Sequence, residues 1–210
     1  MVFSNNSARL LKKMRIDAEK YSKDLEEIFS DDAKYFEIMC QKFIHLNPIN
    51  EYEDSQYFNE FIKKHNIPQT NDKLCNYLQE WQNNLCNFYE GGVLVLYKRR
   101  QPDWGSPKVR ITKDDVSKSD VAILSEPQLI YRGMSREEHS SGQYDQSWTL
   151  SKKIAQDFAS NIYETQNNGI VVKTYISRDS VVHYEKDEIP EEKEVIVEFG
   201  SISKKNVTLC

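Results

Sequence analysis

Glu192 and Glu194 stand two residues apart at the head of an apolar, β-branched run, Glu192-Lys193-Glu194-Val195-Ile196-Val197. On a strand, residues i and i+2 point to the same face. The spacing therefore predicts two carboxylates side by side where a strand begins. Like charges held that close cost energy unless each has its own partner or task. Two upstream segments offer partners. In Ile130-Tyr131-Arg132-Gly133 an arginine ends a β-type run at a glycine, where the backbone can bend sharply away. Its planar five-donor fork suits a diphosphate or a carboxylate. Read alone, the simpler reading is a salt bridge to one of the chain's many acids.

In Ser147-Trp148-Thr149-Leu150-Ser151, alternation puts three hydroxyls on one face and Trp148 with Leu150 on the other. A hydroxyl row of this kind can hold a neighbouring carboxylate by short hydrogen bonds. In isolation it is also an ordinary edge strand. Ser151 doubles as the N-cap of a helix through Ile154, Ala155, Phe158 and Ala159, which share one face. His139 and His183 lack the spacing of metal ligands, so no metal site is expected. Gly-x-Gly-x-x-Gly is absent, which argues against dinucleotide binding through a doubly wound fold.

The elements that must position these residues change character along the chain. Residues 1–90 read as helices. Leu11, Met14, Ala18, Tyr21, Leu25 and Ile28 make one apolar stripe, and Ser30-Asp31-Asp32 breaks it. A second helix carries Phe36, Met39, Phe43 and Ile44 and closes at Pro48. A third carries Tyr57, Phe58, Phe61 and Ile62 and ends before Ile67-Pro68. A fourth starts near Thr70 or Asn71, carries Trp81 and Leu85 as packing residues, and stops at Gly91-Gly92. From 91 to 210 the reading is mixed: β-type runs at Val93–Tyr97, Gln128–Gly133, Gly169–Ile176, Val181–Tyr184 and Glu194–Phe199, with a turn from Pro102 to Pro107 and an edge strand near Asn206–Leu209. Val121–Leu124 is ambiguous. The expectation is an α+β fold: a helical region 1–90 packed on a mixed or antiparallel two-sheet core 91–210, the two sharing one domain or forming two.

With 210 residues and 24 aromatics (3 Trp, 12 Tyr and 9 Phe) there is bulk for a core. No window reads as a membrane span or a secretory leader. Cys40, Cys75, Cys86 and Cys210 lack metal-ligand spacing. Cys75 and Cys86 read as buried free thiols, in keeping with a reducing, cytoplasmic setting. A net charge of −5 argues against broad nucleic-acid affinity, while Lys98-Arg99-Arg100 followed by Lys108, Arg110 and Lys113 is a local basic stretch.

Taken together, Tyr131-Arg132-Gly133, then Ser147-Trp148-Thr149, then Glu192-Lys193-Glu194-Val195-Ile196 resemble, in order and flanking residues, the arginine–serine–glutamate class of mono-ADP-ribosyltransferases. It is similar in particular to the small phage-encoded and toxin-type members. The resemblance covers about a third of the chain, from Gln128 to Glu198, and departs from the family where Trp148 fills the middle of Ser-Thr-Ser. The interval from Arg132 to Ser147 is also short.

The resemblance implies an ADP-ribosyltransferase-like core that uses NAD as substrate and no metal. Arg132, with Gly133, would brace the phosphate and ribose side of NAD. Ser147, helped by Thr149, would orient Glu194; in a shifted register Thr149 or Ser151 would do so. Glu194 would hydrogen-bond the nicotinamide ribose as nicotinamide leaves, and Glu192 would position and deprotonate the acceptor. A carboxylate does stabilise a neighbouring oxocarbenium-like charge best where water is excluded, and a second, ionised carboxylate can take a proton. In the resembled family Glu-x-Glu goes with arginine as acceptor, so the implied partner is a protein with an accessible arginine, in the cytosol of its own or of a host cell. Two alternatives stand beside it: the same fold modifying nucleic acid or attaching NAD-capped RNA to protein, and a non-enzymatic interaction module whose acids serve solubility.

Overall fold

The structure is a computed structural model that describes residues 2–45, 55–100, 105–163, 169–186 and 193–210. Pro48, Pro102 and Glu192 lie outside these residues. The chain divides into two compact units, Met1–Ile111 and Thr112–Cys210. The architecture is α+β.

The first unit is helical. Helix α1 (Asn5–Lys13) and helix α2 (Ala18–Phe29) are separate, although one apolar stripe runs through both. Arg15 takes a left-handed backbone (φ 61°), which ends the first helix, and the Asp17 carboxylate caps the second by accepting the Lys20 N–H at 3.0 Å. A short 3₁₀ turn at Ser30–Ala33 leads into α3 (Lys34–His45), followed by α4 (Ser55–Lys64). The side chain of Asn71 caps α5 (Asp72–Arg99) through the Leu74 N–H at 3.2 Å. Trp81, fully buried on α5, donates its indole N–H to the Phe36 carbonyl of α3 at 3.1 Å. The rings of Phe3 and Tyr21 lie against it, and Leu74, Leu78 and Leu85 of the same helix are also fully buried.

Gly91-Gly92 does not stop α5. The two glycines leave helical backbone (Gly92 has φ 74°), the axis kinks, and the helix resumes to Arg99. The segment expected to be a β-run, Val93–Tyr97, is therefore helical. Val93, Leu96 and Tyr97 are its buried face, a spacing of three and four residues that a five-residue apolar run cannot distinguish from a strand. The basic run lies in and just past the last turn of this helix, where cations meet the carbonyl end of the dipole. Arg99 pairs with Glu90 at 2.6 Å, and Arg100 stacks 4.0 Å over the Tyr97 ring. Cys75 and Cys86 are half-buried rather than buried.

The second unit carries one six-stranded antiparallel sheet where two sheets were expected. Its strands are β1 (Gln128–Ser135), β2 (Ser147–Thr149), β3 (Gly169–Ile176), β4 (Val181–Tyr184), β5 (Glu194–Val197) and β6 (Thr208–Leu209). The spatial order is β4-β5-β2-β1-β3-β6. β1 and β3 pair along eight residues, from Gln128↔Ile176 to Ser135↔Gly169, whereas β1 and β2 share one register pair, Tyr131↔Thr149. The sheet is thus two three-stranded halves joined at a seam. Val121–Ile123 forms a 3₁₀ turn, and β5 ends at Val197, two residues short of Phe199. The core on one face gathers Ile130, Met134, Tyr144, Trp148, Val172, Val195 and Val197. On the other, α7 (Lys152–Tyr163) crosses β1 and β3.

Helix α7 approaches so closely that glycine is required beneath it. A Cβ at Gly133 would sit 2.2 Å from the Ala155 carbonyl oxygen, and one at Gly169 would sit 2.0 Å from that of Ala159. Small residues on both partners let backbone meet backbone. β1 consequently does not end at Gly133 but runs on to Ser135. Of the face read as core, Ala155 and Ala159 are buried, and Phe158 is 50% exposed.

Candidate active site

Arg132, Ser147 and Glu194 come together at the seam. β2 pairs with β5 in the register Thr149↔Glu194, Trp148↔Val195 and Ser147↔Ile196. Cross-strand neighbours share a face, so Ser147, Thr149 and Glu194 lie on one side of the sheet while buried Trp148 faces the core. The Ser147 hydroxyl donates to Glu194 Oε1 at 2.5 Å. That length is typical of a hydroxyl donating to an ionised carboxylate. Arg132 Nη1 donates to the backbone carbonyl of the same Ser147. One residue of β2 is therefore gripped from β1 through its carbonyl and holds β5 through its hydroxyl.

Within the hydroxyl cluster, Ser147 makes a direct contact to the Glu194 carboxylate. Ser151 is the helix cap, its Oγ accepting the Ile154 N–H at 3.3 Å. Thr149 is buried, and its Oγ1 accepts the Ser151 N–H at 3.0 Å in the turn from β2 into α7. Trp148 donates its indole N–H to the Asp145 carbonyl at 3.1 Å and meets Tyr144 edge-on. A large residue in the middle position is thus a core anchor for the strand that presents Ser147.

Glu194 is half-buried at the first position of β5. The residue before it, Lys193, has φ 46°, a left-handed backbone that costs a non-glycine residue about 1 kcal/mol or more. The Lys193 carbonyl accepts the Leu150 N–H at 3.1 Å, so this turn is tied to the end of β2. The described strand starts at Glu194; Glu192, and with it the expected side-by-side pair, lies outside the described residues.

Arg132 does more than the sequence indicates. Besides the Ser147 carbonyl, it makes a two-point ion pair with Glu138 on α6 (Arg136–Ser141): Nε to Oε1 at 3.0 Å and Nη2 to Oε2 at 3.2 Å. The two side chains are 16% and 19% exposed. Glu138 was missed in the sequence. Its signal was Ser135-x-x-Glu138, the spacing of a capping box. Ser135 does cap α6, accepting the Glu138 N–H at 3.1 Å, but the carboxylate reaches Arg132 and the Asp145 N–H (3.1 Å). Beside it, burial first and the Glu138 charge second push the Tyr144 hydroxyl above its ordinary pKa, and that hydroxyl lies 3.1 Å from His139 Nδ1. Gly133 has the packing role under α7 described above.

Among the described residues, no group of three or more His, Cys, Asp or Glu could hold a metal ion. None of their helices is long and apolar enough to cross a membrane. A cleft of about 560 Å³ in the second unit is lined by Lys113, Lys118, Arg178 and Val182 among others, and by none of Arg132, Ser147 and Glu194. No family model, no curated protein and no solved structure matches the chain.

Proposed function

We propose that this chain splits NAD and transfers its ADP-ribose to arginine side chains of proteins, as the resemblance to the arginine–serine–glutamate mono-ADP-ribosyltransferases implies. The observation that carries the reading is the hydrogen-bonded line from Arg132 through Ser147 to Glu194. Three residues chosen on motif order alone, from three strands, meet in one chain of contacts.

The residues suit the reaction. The bond to nicotinamide breaks with its electron pair leaving on the ring nitrogen, so the pyridinium becomes neutral and positive charge develops on the ribose. A carboxylate fixed beforehand by a hydroxyl stabilises that charge without reorganising at the moment of reaction. Glu194, held by Ser147, is such a carboxylate. Arginine has five N–H donors, and the bonds to Glu138 and Ser147 engage three of them. The other two suit a phosphate oxygen of NAD. A guanidinium nitrogen of the acceptor then bonds to the ribose carbon and gives up a proton, for which Glu192 is the base implied by the Glu-x-Glu spacing.

The test is transfer of labelled NAD into a bacterial lysate by the wild type and by Glu194→Gln, with protease- and nuclease-treated aliquots. Protease-sensitive label in the wild type alone is the expected result. Nuclease-sensitive label would move the acceptor to nucleic acid. Absence of both label and released nicotinamide would overturn the reading in favour of an interaction module.

A further inference from the structure

The reading above gives roles to Arg132, Ser147 and Glu194 and none to Glu138. We propose that Glu138 is a positioning residue, which sets the Glu194 carboxylate by holding the chain at Asp145 and at Ser147, where β2 begins. This inference rests on the proposed NAD chemistry for its kinetic effect, but not for its structural one.

Glu138 reaches the β2 segment by two routes. Through its ion pair it fixes the Arg132 fork, which in turn donates to the Ser147 carbonyl. Through Oε1 it also accepts the Asp145 N–H, two residues before Ser147, in the loop whose Asp145 carbonyl anchors the Trp148 indole. β2 has only three residues and one register pair to β1, so few backbone bonds fix it from that side. The Glu138 contacts supply what the ladder lacks. They also keep a largely buried guanidinium compensated; removing one partner of such a pair leaves a charge that must find solvent or another acceptor. An arginine released from Glu138 no longer holds the Ser147 carbonyl, and the hydroxyl that orients Glu194 shifts with it.

A purely structural salt bridge and a positioning residue make different predictions. If Glu138 positions Glu194, Glu138→Gln lowers kcat for nicotinamide release by about 100-fold, the usual cost of roughly 1 Å of misplacement. Arg132→Lys keeps the charge but loses the fork, and combining it with Glu138→Gln costs little more than either change alone. An unchanged kcat in Glu138→Gln overturns the proposal.

A second readout is independent of catalysis. In protein labelled with ¹³C at glutamate carboxyls, the Glu194 resonance, identified by its loss in Glu194→Gln, is compared in wild type, Ser147→Ala and Glu138→Gln. Both variants are expected to move it in the same sense. A resonance that moves in Ser147→Ala and stays fixed in Glu138→Gln overturns the proposal, even if the wild type releases no nicotinamide. The latter result by itself sinks only the reading of function. If Glu138→Gln does not fold, Arg132→Lys carries the same expectation for the resonance and the same overturning result.

Discussion

Ser147 and Glu194 are diagonal neighbours on two paired short strands, and the serine hydroxyl lies 2.5 Å from the carboxylate it donates to. Such a bond fixes which way the carboxylate points. Everything else at the seam serves to keep Ser147 where it is: Arg132 on its carbonyl, Trp148 in the core beside it, and the turn through Thr149 and Ser151 into α7.

The first expectation concerns that pair. Glu194→Gln removes the negative charge at nearly constant shape and should lower nicotinamide release from NAD by on the order of 10³-fold or more. Ser147→Ala leaves the charge and removes one charge-assisted bond, worth about 1.5–3 kcal/mol, so release should fall by about 10- to 100-fold. Chromatographic measurement of nicotinamide orders the two; wild-type activity in Ser147→Ala would remove Ser147 from the account.

Under the proposed function, Glu192 should separate the two half-reactions. Glu192→Gln should still hydrolyse NAD at a rate near wild type but lose label transfer to an arginine-rich acceptor protein. Equal transfer by this variant would end the acceptor role implied by the Glu-x-Glu spacing.

Gly133 gives a test of packing that is independent of function. Its backbone needs no positive φ, so Gly133→Ala is purely steric, driving a methyl into the Ala155 carbonyl at 2.2 Å. Overpacking of this kind costs about 1–3 kcal/mol. For a unit of this size that lowers the melting temperature by about 4–8 °C per kcal/mol. A melting temperature equal to wild type would mean that α7 does not lie on β1 as described.

Glu126 accepts the backbone N–H of Arg178 at 2.8 Å and its side chain at 3.2 Å. These bonds, the backbone one foremost, hold its carboxyl below the ordinary range. With a folded pKa below the unfolded one, its contribution is present above the unfolded value, near pH 4, and is lost as pH falls through the folded value. Glu126→Gln should therefore narrow the difference in melting temperature between pH 6 and pH 3. The side chain is exposed, so salt should shrink the effect.

Burial lifts the Cys40 thiol to about 12, while Cys210 is exposed. Iodoacetamide at pH 8 should modify Cys210 and leave Cys40 untouched until the helical unit unfolds, since only thiolate reacts. Peptide mass mapping with and without denaturant reads this directly.

What could be read in advance divides along physical lines. The strands that carry the site announced themselves through alternation and glycine, and the motif order chose residues that the fold unites. Short apolar runs were less legible: Val93–Tyr97 fits a strand as well as one buried helix face, and only its burial in the helical unit decides. Gly91-Gly92 reads as a stop, whereas the structure uses it as a kink. Two features depend on contacts that no local pattern encodes. Glu138 could be recognised as a cap by spacing but not as the partner of Arg132 six residues earlier. Lys193 gives no sequence sign of its left-handed backbone.

The single register pair between β1 and β2 has a mechanical consequence. A sheet knit by many rungs resists bending about every strand; one knit by a single rung can open and close along that line like a book along its spine. The side-chain strap from Glu138 through Arg132 to the Ser147 carbonyl crosses that line, so two charges reinforce the joint where the backbone ladder is thinnest.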